Sequence, residues 1–336
     1  MKMEPLPGDD TVSSWSTENL ITCIILGMAF VIGMPGNLSV IWVILQWVKQ
    51  QSPTTVLILN LAIADFVVLT TLPLWIYSFT DAWHFGLPFC KLLTYIIYSC
   101  MYASIFFITV LGVERFVAVM YPLTLQKWRK KTVYLTVTFI MWVLAFLFGI
   151  PIIPVQELND DERPQCTFRN YTSDQQEVAC LLLETLVGFI IPYFIICTCY
   201  ACIAIKLKTM ACKSRRKCSM LIISIIVAFA VFWLPHHVFN VIAIISVVSN
   251  NTLEEETRNV VSEVGVYVSG ALVFISSCIN PILYAFAARK FQHSIRLKKI
   301  ARLFEQLTQQ SETYKGNEMS QMSRRTESSK QTLSSY

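Results

Sequence analysis

CKLLTYIIYSCMYASIFFITVLGVERFVAVMYP, residues 90–122, has an interior apolar enough to cross a bilayer and ends that carry chemistry. Cys90 stands at one end and Glu114-Arg115 near the other. At 1.5 Å rise per residue, Cys90 and Arg115 lie roughly 37 Å apart, the thickness of a hydrocarbon core with part of its headgroups. Such a helix sets a cysteine on an oxidising side and an ion pair on the cytosolic side. The rest of the chain reads as packing around this rod.

Working outward, the 336 residues are 54% hydrophobic and only 15% charged, with a mean hydropathy of +0.54. A soluble protein carries about a quarter charged residues, so the composition is that of an integral membrane protein. Seven apolar stretches predict spans at 20–47, 54–80, 88–119, 132–154, 179–206, 219–248 and 262–286. Each holds the ~20 residues that a crossing needs. Lipid offers the backbone no hydrogen-bond partners, so these stretches must be helices. The expected fold is an all-α, seven-helix transmembrane bundle at 19–286, with a polar tail at 1–18, a short amphipathic eighth helix at 287–306 and a disordered tail at 307–336. The opening MKMEPLPGDD is polar and acidic, which predicts no cleavable leader. Neither a 20–50-residue repeat nor a second folded domain is visible.

Charge sets the orientation. The connections near 49, 115–131 and 206–217 and the tail from Arg289 hold 22 of the 27 lysines and arginines, against four acids, Glu305, Glu312, Glu318 and Glu327. The opposite side carries 5 basic residues and 15 acids, leaving Asp65, Glu114 and Glu184 at membrane depth. The positive-inside rule then places the N-terminus outside and the C-terminus in the cytosol, as in a multi-pass plasma-membrane protein.

Polar residues at membrane depth are site candidates because burying them is costly. Asp65 lies among aliphatic neighbours, with Asn37, Ser104, Ser276 and Asn280 at compatible depth on other spans. The cluster is expected as a hydrogen-bonded set able to take a hydrated cation such as sodium. Along the third span, Thr94, Tyr98, Met101, Tyr102 and Ile105 follow helical spacing and form one interior stripe. Glu184 sits about two turns outward of Pro192, and FWLPHHVFN sets His236, His237 and Asn240 just outside the Pro235 hinge. Adjacent histidines project about 100° apart, so one of the two at most faces a central cavity.

Cys90 and Cys166 are the pair in the oxidising compartment clear of the membrane core, so a disulfide is expected to pin the loop 155–178 over the bundle mouth. The other nine cysteines read as small apolar residues. Sequons at Asn170 and Asn250 fall in outer loops, whereas the one at Asn37 lies at membrane depth. Past Asn280, Pro281 and Tyr284, the segment ARKFQHSIRLKKIARLFEQL has the basic and apolar spacing of a helix on anionic membrane lipid. From Ser311 the tail carries ten serines and threonines, where phosphorylation would add dense negative charge.

These residues resemble rhodopsin-like (class A) G protein-coupled receptors. The resemblance is carried by Gly36-Asn37, Leu61-Ala-Ile-Ala-Asp65, Trp83-His-Phe-Gly86, Cys90/Cys166, Glu114-Arg115, Trp142 and Pro192/Tyr200. It continues through Phe229…Phe232-Trp233-Leu-Pro235 and Asn280-Pro-Ile-Leu-Tyr284, in order from about 20 to 300. It implies an outer ligand, an outward swing of the sixth helix, and nucleotide exchange on a heterotrimeric G protein, with receptor kinases and arrestin acting at the tail. Glu114, Arg115, Tyr200, Phe229, Trp233, Pro235, Pro281 and Tyr284 are then the expected activation switches.

Within that family, Met101-Tyr-Ala-Ser104, Glu184-Thr-Leu, Phe232…Asn240 and Ser276…Pro281 are similar to leukotriene B4 receptors. That likeness implies a chemoattractant lipid bound at Thr94, Tyr98, Met101, Tyr102, Glu184, His237 and Asn240, and a G protein of the inhibitory class. Thr94, Gln156 and Glu177 stand where basic pocket residues are expected, leaving Lys91, His236, His237 and Arg258 to balance a carboxylate. The acidic outer surface equally suits a basic peptide, and a receptor that recruits arrestin alone is a further alternative.

Two departures bear on mechanism. Glu114-Arg115-Phe116 lacks the hydroxyl of the family's Asp-Arg-Tyr, and the inner end of the sixth span offers Arg215, Arg216 and Lys217 with no acid to hold Arg115. The resting latch is expected to be Glu114–Arg115 alone or apolar, and weaker than in rhodopsin. An opsin is excluded because 261–286 contains no lysine, and the tail and third outer loop lack a chemokine receptor's extra cysteines. Seven spans without inverted repeats fit a transporter poorly. No metal triad, nucleophile–base pair or phosphate loop suggests an enzyme or a nucleic-acid binder.

Overall fold

The computed structural model describes residues 17–48, 52–121, 130–159, 163–208, 213–248, 265 and 270–282. In chain order the helices are α1 (Thr17–Trp47), α2 (Pro53–Thr70), α3 (Leu72–Thr80), α4 (Gly86–Met120), α5 (Lys131–Gly149) and α6 (Ile152–Val155). A two-stranded antiparallel hairpin follows, β1 (Gln156–Glu157) with β2 (Phe168–Arg169), paired Gln156 to Arg169 and Glu157 to Phe168. Then come α7 (Asp174–Thr185), a π-helical turn (Leu186–Ile190), α8 (Ile191–Lys208) and α9 (Lys213–Val248), and the shorter apolar helix α10 (Gly270–Ile282).

Local chemistry sets these boundaries. Ser52 caps α2, its Oγ accepting from Thr55 N–H at 3.2 Å, and Pro53 fills the first helical position, where no donor is needed. The second span breaks at Thr71 and restarts as α3 with Pro73 in its first turn. Ser173 caps α7 in the same manner, with Asp174 and Glu177 in the turn where the helix dipole favours negative charge. In the fifth span Pro192 has no N–H to give Gly188. The register slips there, and Ile191 N–H reaches Leu186 C=O across a π turn.

Six described spans are long and apolar enough to cross a membrane: Leu20–Trp47, Pro53–Thr80, Leu87–Met120, Lys131–Val155, Asp174–Lys206 and Ala230–Val248. The seventh expected stretch holds α10, and its remainder lies outside the described residues apart from Gly265, as do Tyr284, Asn250, residues 1–16, the expected surface helix 287–306 and the tail 307–336.

Burial is arranged for lipid rather than water. Large apolar side chains such as Val31, Phe139 and Phe194 face outward, while Asn37, Asp65, Glu114 and Arg115 are buried. α4 runs through the middle, packed on α2, α5, α6, α8 and β1, with Ile105, Phe107 and Leu111 in its core. Trp142 of α5 donates from Nε1 to Asn60 Oδ1 at 2.9 Å and meets Phe107 edge-on. At Gly33 the first and seventh spans come so close that an added Cβ would sit 2.6 Å from Cys278 Cβ.

Candidate functional site

The end of the bundle holding Cys90 is roofed by the loop between α6 and α7. Cys90 at the start of α4 is disulfide-bonded to Cys166, with Cα atoms 5.7 Å apart. Lys91 Nζ meets Glu157 at 2.9 Å, and Ser78 exchanges hydrogen bonds with the Gln165 side chain at 2.6 and 2.8 Å. Trp83 N–H donates to Pro164 C=O at 2.7 Å. The loop is therefore clamped to α3 and α4, and β2 hangs over the bundle interior.

Beneath it is a small cavity of about 10 Å³ lined by Tyr98, Met101, Tyr102, Ile105, Glu184, Gly188, Trp233 and His237. Five of the seven expected ligand residues meet there: Tyr98, Met101, Tyr102, Glu184 and His237. Thr94 lies one turn outward of Tyr98, its hydroxyl 3.8 Å from Cys166 Sγ. Asn240 is buried beside the cavity, its Nδ2 3.5 Å from both Thr185 Oγ1 and His236 Nε2. Thr94 and Asn240 are thus outside the lining. Their spacing is correct for an inward face, but the loop fills the space above Tyr98 and Thr185 stands before Asn240.

The wall is mostly apolar with one charged corner. Glu184 Oε1 meets His236 Nε2 at 2.5 Å and Tyr98 Oη at 3.3 Å, and Oε2 meets Arg169 Nη1 at 3.3 Å. Arg169 also donates to Tyr98 Oη through Nη2 and to Tyr171 Oη, and its guanidinium lies 5.4 Å from the centre of the Tyr98 ring. Burial alone would lower its pKa, but Glu184 and Tyr171 together, through charge and hydrogen bonds, hold it above its ordinary value. Arg169 and Tyr171 escaped sequence reasoning because they arrive by a hairpin with no helical periodicity. Their one signal was a basic residue three positions beyond the bridged cysteine.

His237 forms part of the cavity floor. It is 3% exposed, stacks on Phe189 at 4.9 Å, and neither ring nitrogen has a hydrogen-bond partner among the described residues. Gly188 of the π turn lies beside it, and a Cβ there would make an ordinary contact at 3.5 Å from His237 Cε1. Trp233, two residues before Pro235, also stacks with it at 6.1 Å. The cavity is thus walled by the two prolines' helices, where backbone register is weakest.

Deeper in the bundle, Asp65 accepts from Ser104 Oγ at 3.1 Å and Asn280 Nδ2 at 2.7 Å. The serine that joins them from α10 is Ser277, one position along from the expected Ser276. Asn37 Nδ2 donates to Gly33 C=O at 3.1 Å and Ser277 C=O at 3.0 Å, leaving its buried Oδ1 without a partner among the described residues. The Asp65 carboxylate, the Ser104 hydroxyl and the orphaned Asn37 amide oxygen are the kinds of oxygen a hard cation takes.

At the opposite end, Glu114 and Arg115 are buried and paired at 3.3 Å. The sequence suggested Glu114–Arg115 alone or an apolar contact here, but the ion pair has a third polar member. Thr54 of α2 donates to Glu114 Oε1 at 3.1 Å and accepts from Arg115 Nη2 at 2.8 Å, so one hydroxyl bridges the ion pair. Tyr200 lies one turn outward, against Gly112. Phe229 and Pro235 lie on α9, and Pro281 near the end of α10 has its ring against Gly36.

Comparison with known proteins adds an independent finding. The family described as 7 transmembrane receptor (rhodopsin family) matches residues 36–284. Leukotriene B4 receptor 1 of Homo sapiens is 32% identical over 91% of this chain and 88% of its own length. Chemerin-like receptor 2 of Mus musculus is 31% identical over 82% and 78%, and somatostatin receptor type 1 of Rattus norvegicus 30% over 85% and 73%. These relatives are signalling receptors, not enzymes.

Proposed function

Because the chain belongs to the rhodopsin family of seven-transmembrane receptors, we propose that it is a plasma-membrane receptor, N-terminus outside, that couples a leukotriene B4-like lipid mediator to a heterotrimeric G protein of the inhibitory class. The observation that carries this reading is the cavity: an apolar slot beneath a bridged loop, with its polar groups gathered at one corner and Trp233–His237 at its base. That lining, largely apolar with one charged corner, pairs with a ligand that has an apolar body and a polar head. The likeness to leukotriene B4 receptor 1 supports the same ligand class.

Activation is a change in balance between two packings of one bundle, and a ligand moves it only through contacts that differ between them. Contacts to Tyr98, Tyr102, Glu184 and His237 bear on α9 just above Pro235, so a ligand that repacks Trp233 favours an outward pivot of the inner half of α9. Loss of a sodium ion from the Asp65 cluster and rearrangement of Tyr200 and Tyr284 around Arg115 accompany that pivot. Receptor kinases and arrestin act on the serine-rich tail.

The test is guanine-nucleotide exchange in membranes expressing the chain, with leukotriene B4 as agonist. Arg115→Ala should abolish exchange while leaving ligand binding measurable. Coupling that survives this change removes Arg115 from its role, and arrestin recruitment without exchange in the wild type selects the arrestin-only alternative. The excess of acids on the outer side favours a basic peptide as the second reading, and a screen of chemotactic peptides on the same cells separates the two.

A further inference from the structure

The charged corner contains a cation whose purpose the fold does not explain. Arg169 is brought over the cavity by a two-residue strand and is stabilised there by Glu184, Tyr98 and Tyr171. Two of those three partners, Tyr98 and Glu184, are themselves walls of the cavity. At about 10 Å³ the cavity is far smaller than the ~300–1,000 Å³ of ligand pockets. Anything larger that enters from the loop side must therefore displace or engage the guanidinium.

We propose that Arg169 is the head-group residue of this receptor: its guanidinium stoppers the empty cavity against Tyr98 and Glu184, and takes the carboxylate of an acidic lipid when one binds. This rests on the lipid reading of the cavity given above.

Three features select an anion over a cation as its partner. Glu184 already has Tyr98, Arg169 and His236 around its two oxygens, so three of its roughly four acceptor sites are taken and its charge already has a cationic partner. Arg169, in contrast, has five N–H donors and uses three in the contacts described, leaving two for a further acceptor. A guanidinium also holds two carboxylates at once through its planar fork, so Glu184 need not be stripped of its partner. With 22% of its side chain exposed, Arg169 can be reached from the aqueous side. The hydrocarbon body then lies along Met101, Ile105 and Trp233, and the acid stays at the mouth.

The Arg169–Glu184–His236 chain also gives the head group leverage. It runs from the loop through α7 to the residue after Pro235, so the head-group site and the hinge of α9 share one carboxylate, Glu184.

The experiment measures displacement of radiolabelled leukotriene B4 by the free acid and by its methyl ester on wild type, R169Q, R169K and the neutral pair R169Q/E184Q. Surface density and thermal stability are followed for each. R169Q and R169Q/E184Q should weaken the acid roughly 10- to 100-fold while moving the ester less than about threefold, and R169K should recover part of the loss. The double variant guards against an effect due merely to leaving Glu184 buried and unpaired. Equal affinity of the acid for wild type and R169Q overturns the assignment, as does an equal loss of acid and ester. Failure of the wild type to bind leukotriene B4 or any 18- to 20-carbon monocarboxylic acid overturns the lipid reading and this inference together.

Discussion

Replacing Thr54 by valine removes one hydroxyl and little else, because valine matches threonine in shape and the site is 2% exposed. That hydroxyl is the bridge between Glu114 and Arg115, donating at 3.1 Å to one and accepting at 2.8 Å from the other. Hydrogen bonds to charged groups contribute about 1.5–3 kcal/mol each, and because one atom makes both, the two are lost together. A net loss of about 1.5–3 kcal/mol is therefore the working estimate for the resting state. If Arg115 leaves Thr54 when the receptor activates, the whole loss falls on the resting state, and the minor active population rises roughly 10- to 150-fold. The assay is ligand-free guanine-nucleotide exchange per receptor, with surface density measured in parallel. Thr54→Ser, which retains the hydroxyl, should behave like wild type. Ligand-free exchange in Thr54→Val equal to that of wild type would show that the bridge persists in both states, and would refute its role as a latch.

Gly33→Ala places a methyl 2.6 Å from Cys278 Cβ and 2.7 Å from Leu69 Cδ1, and should lower the stability of the detergent-purified receptor by about 1–3 kcal/mol, read as a drop in melting temperature. Cys166→Ser frees the loop that carries Arg169, so leukotriene B4 affinity should fall together with thermal stability. Asp65→Asn should abolish any effect of sodium chloride on agonist affinity, measured against choline chloride at the same ionic strength; a sodium effect that persists rules the cluster out. Trp142→Phe keeps the ring packing on Phe107 but loses the bond to Asn60, and should cost about 1 kcal/mol of thermal stability without changing ligand affinity.

The bundle was legible because lipid imposes simple rules. A span must be long and apolar, and its charges must be sorted by side, so counting residues sufficed to draw the helices and to pick Cys90 and Cys166 as a pair. The cavity stripe on α4 was legible for a similar reason: Tyr98, Met101, Tyr102 and Ile105 follow the helical repeat, and nothing interrupts α4 there. What escaped was set by atoms that periodicity does not track. Arg169 comes from a hairpin whose position depends on a disulfide, a salt bridge and a backbone bond to Trp83. Ser277 rather than Ser276 meets Asp65, a matter of about 100° around α10. Thr54 opens α2 next to its cap, where a threonine is usually read as a boundary residue, and only the three-dimensional arrangement places it against Arg115. The π turn at Leu186–Ile190 follows from Pro192, but the sequence alone does not reveal which register absorbs the missing donor.

Occupancy of the cavity is expected to move the inner half of α9. Spin labels at positions 131 and 213, the inner starts of α5 and α9, report it in lipid nanodiscs once the exposed native cysteines have been replaced. Saturating leukotriene B4 with G protein present should add a longer distance population that is absent without ligand and absent in Glu184→Gln. A distance distribution unchanged by ligand that is demonstrably bound would contradict the account.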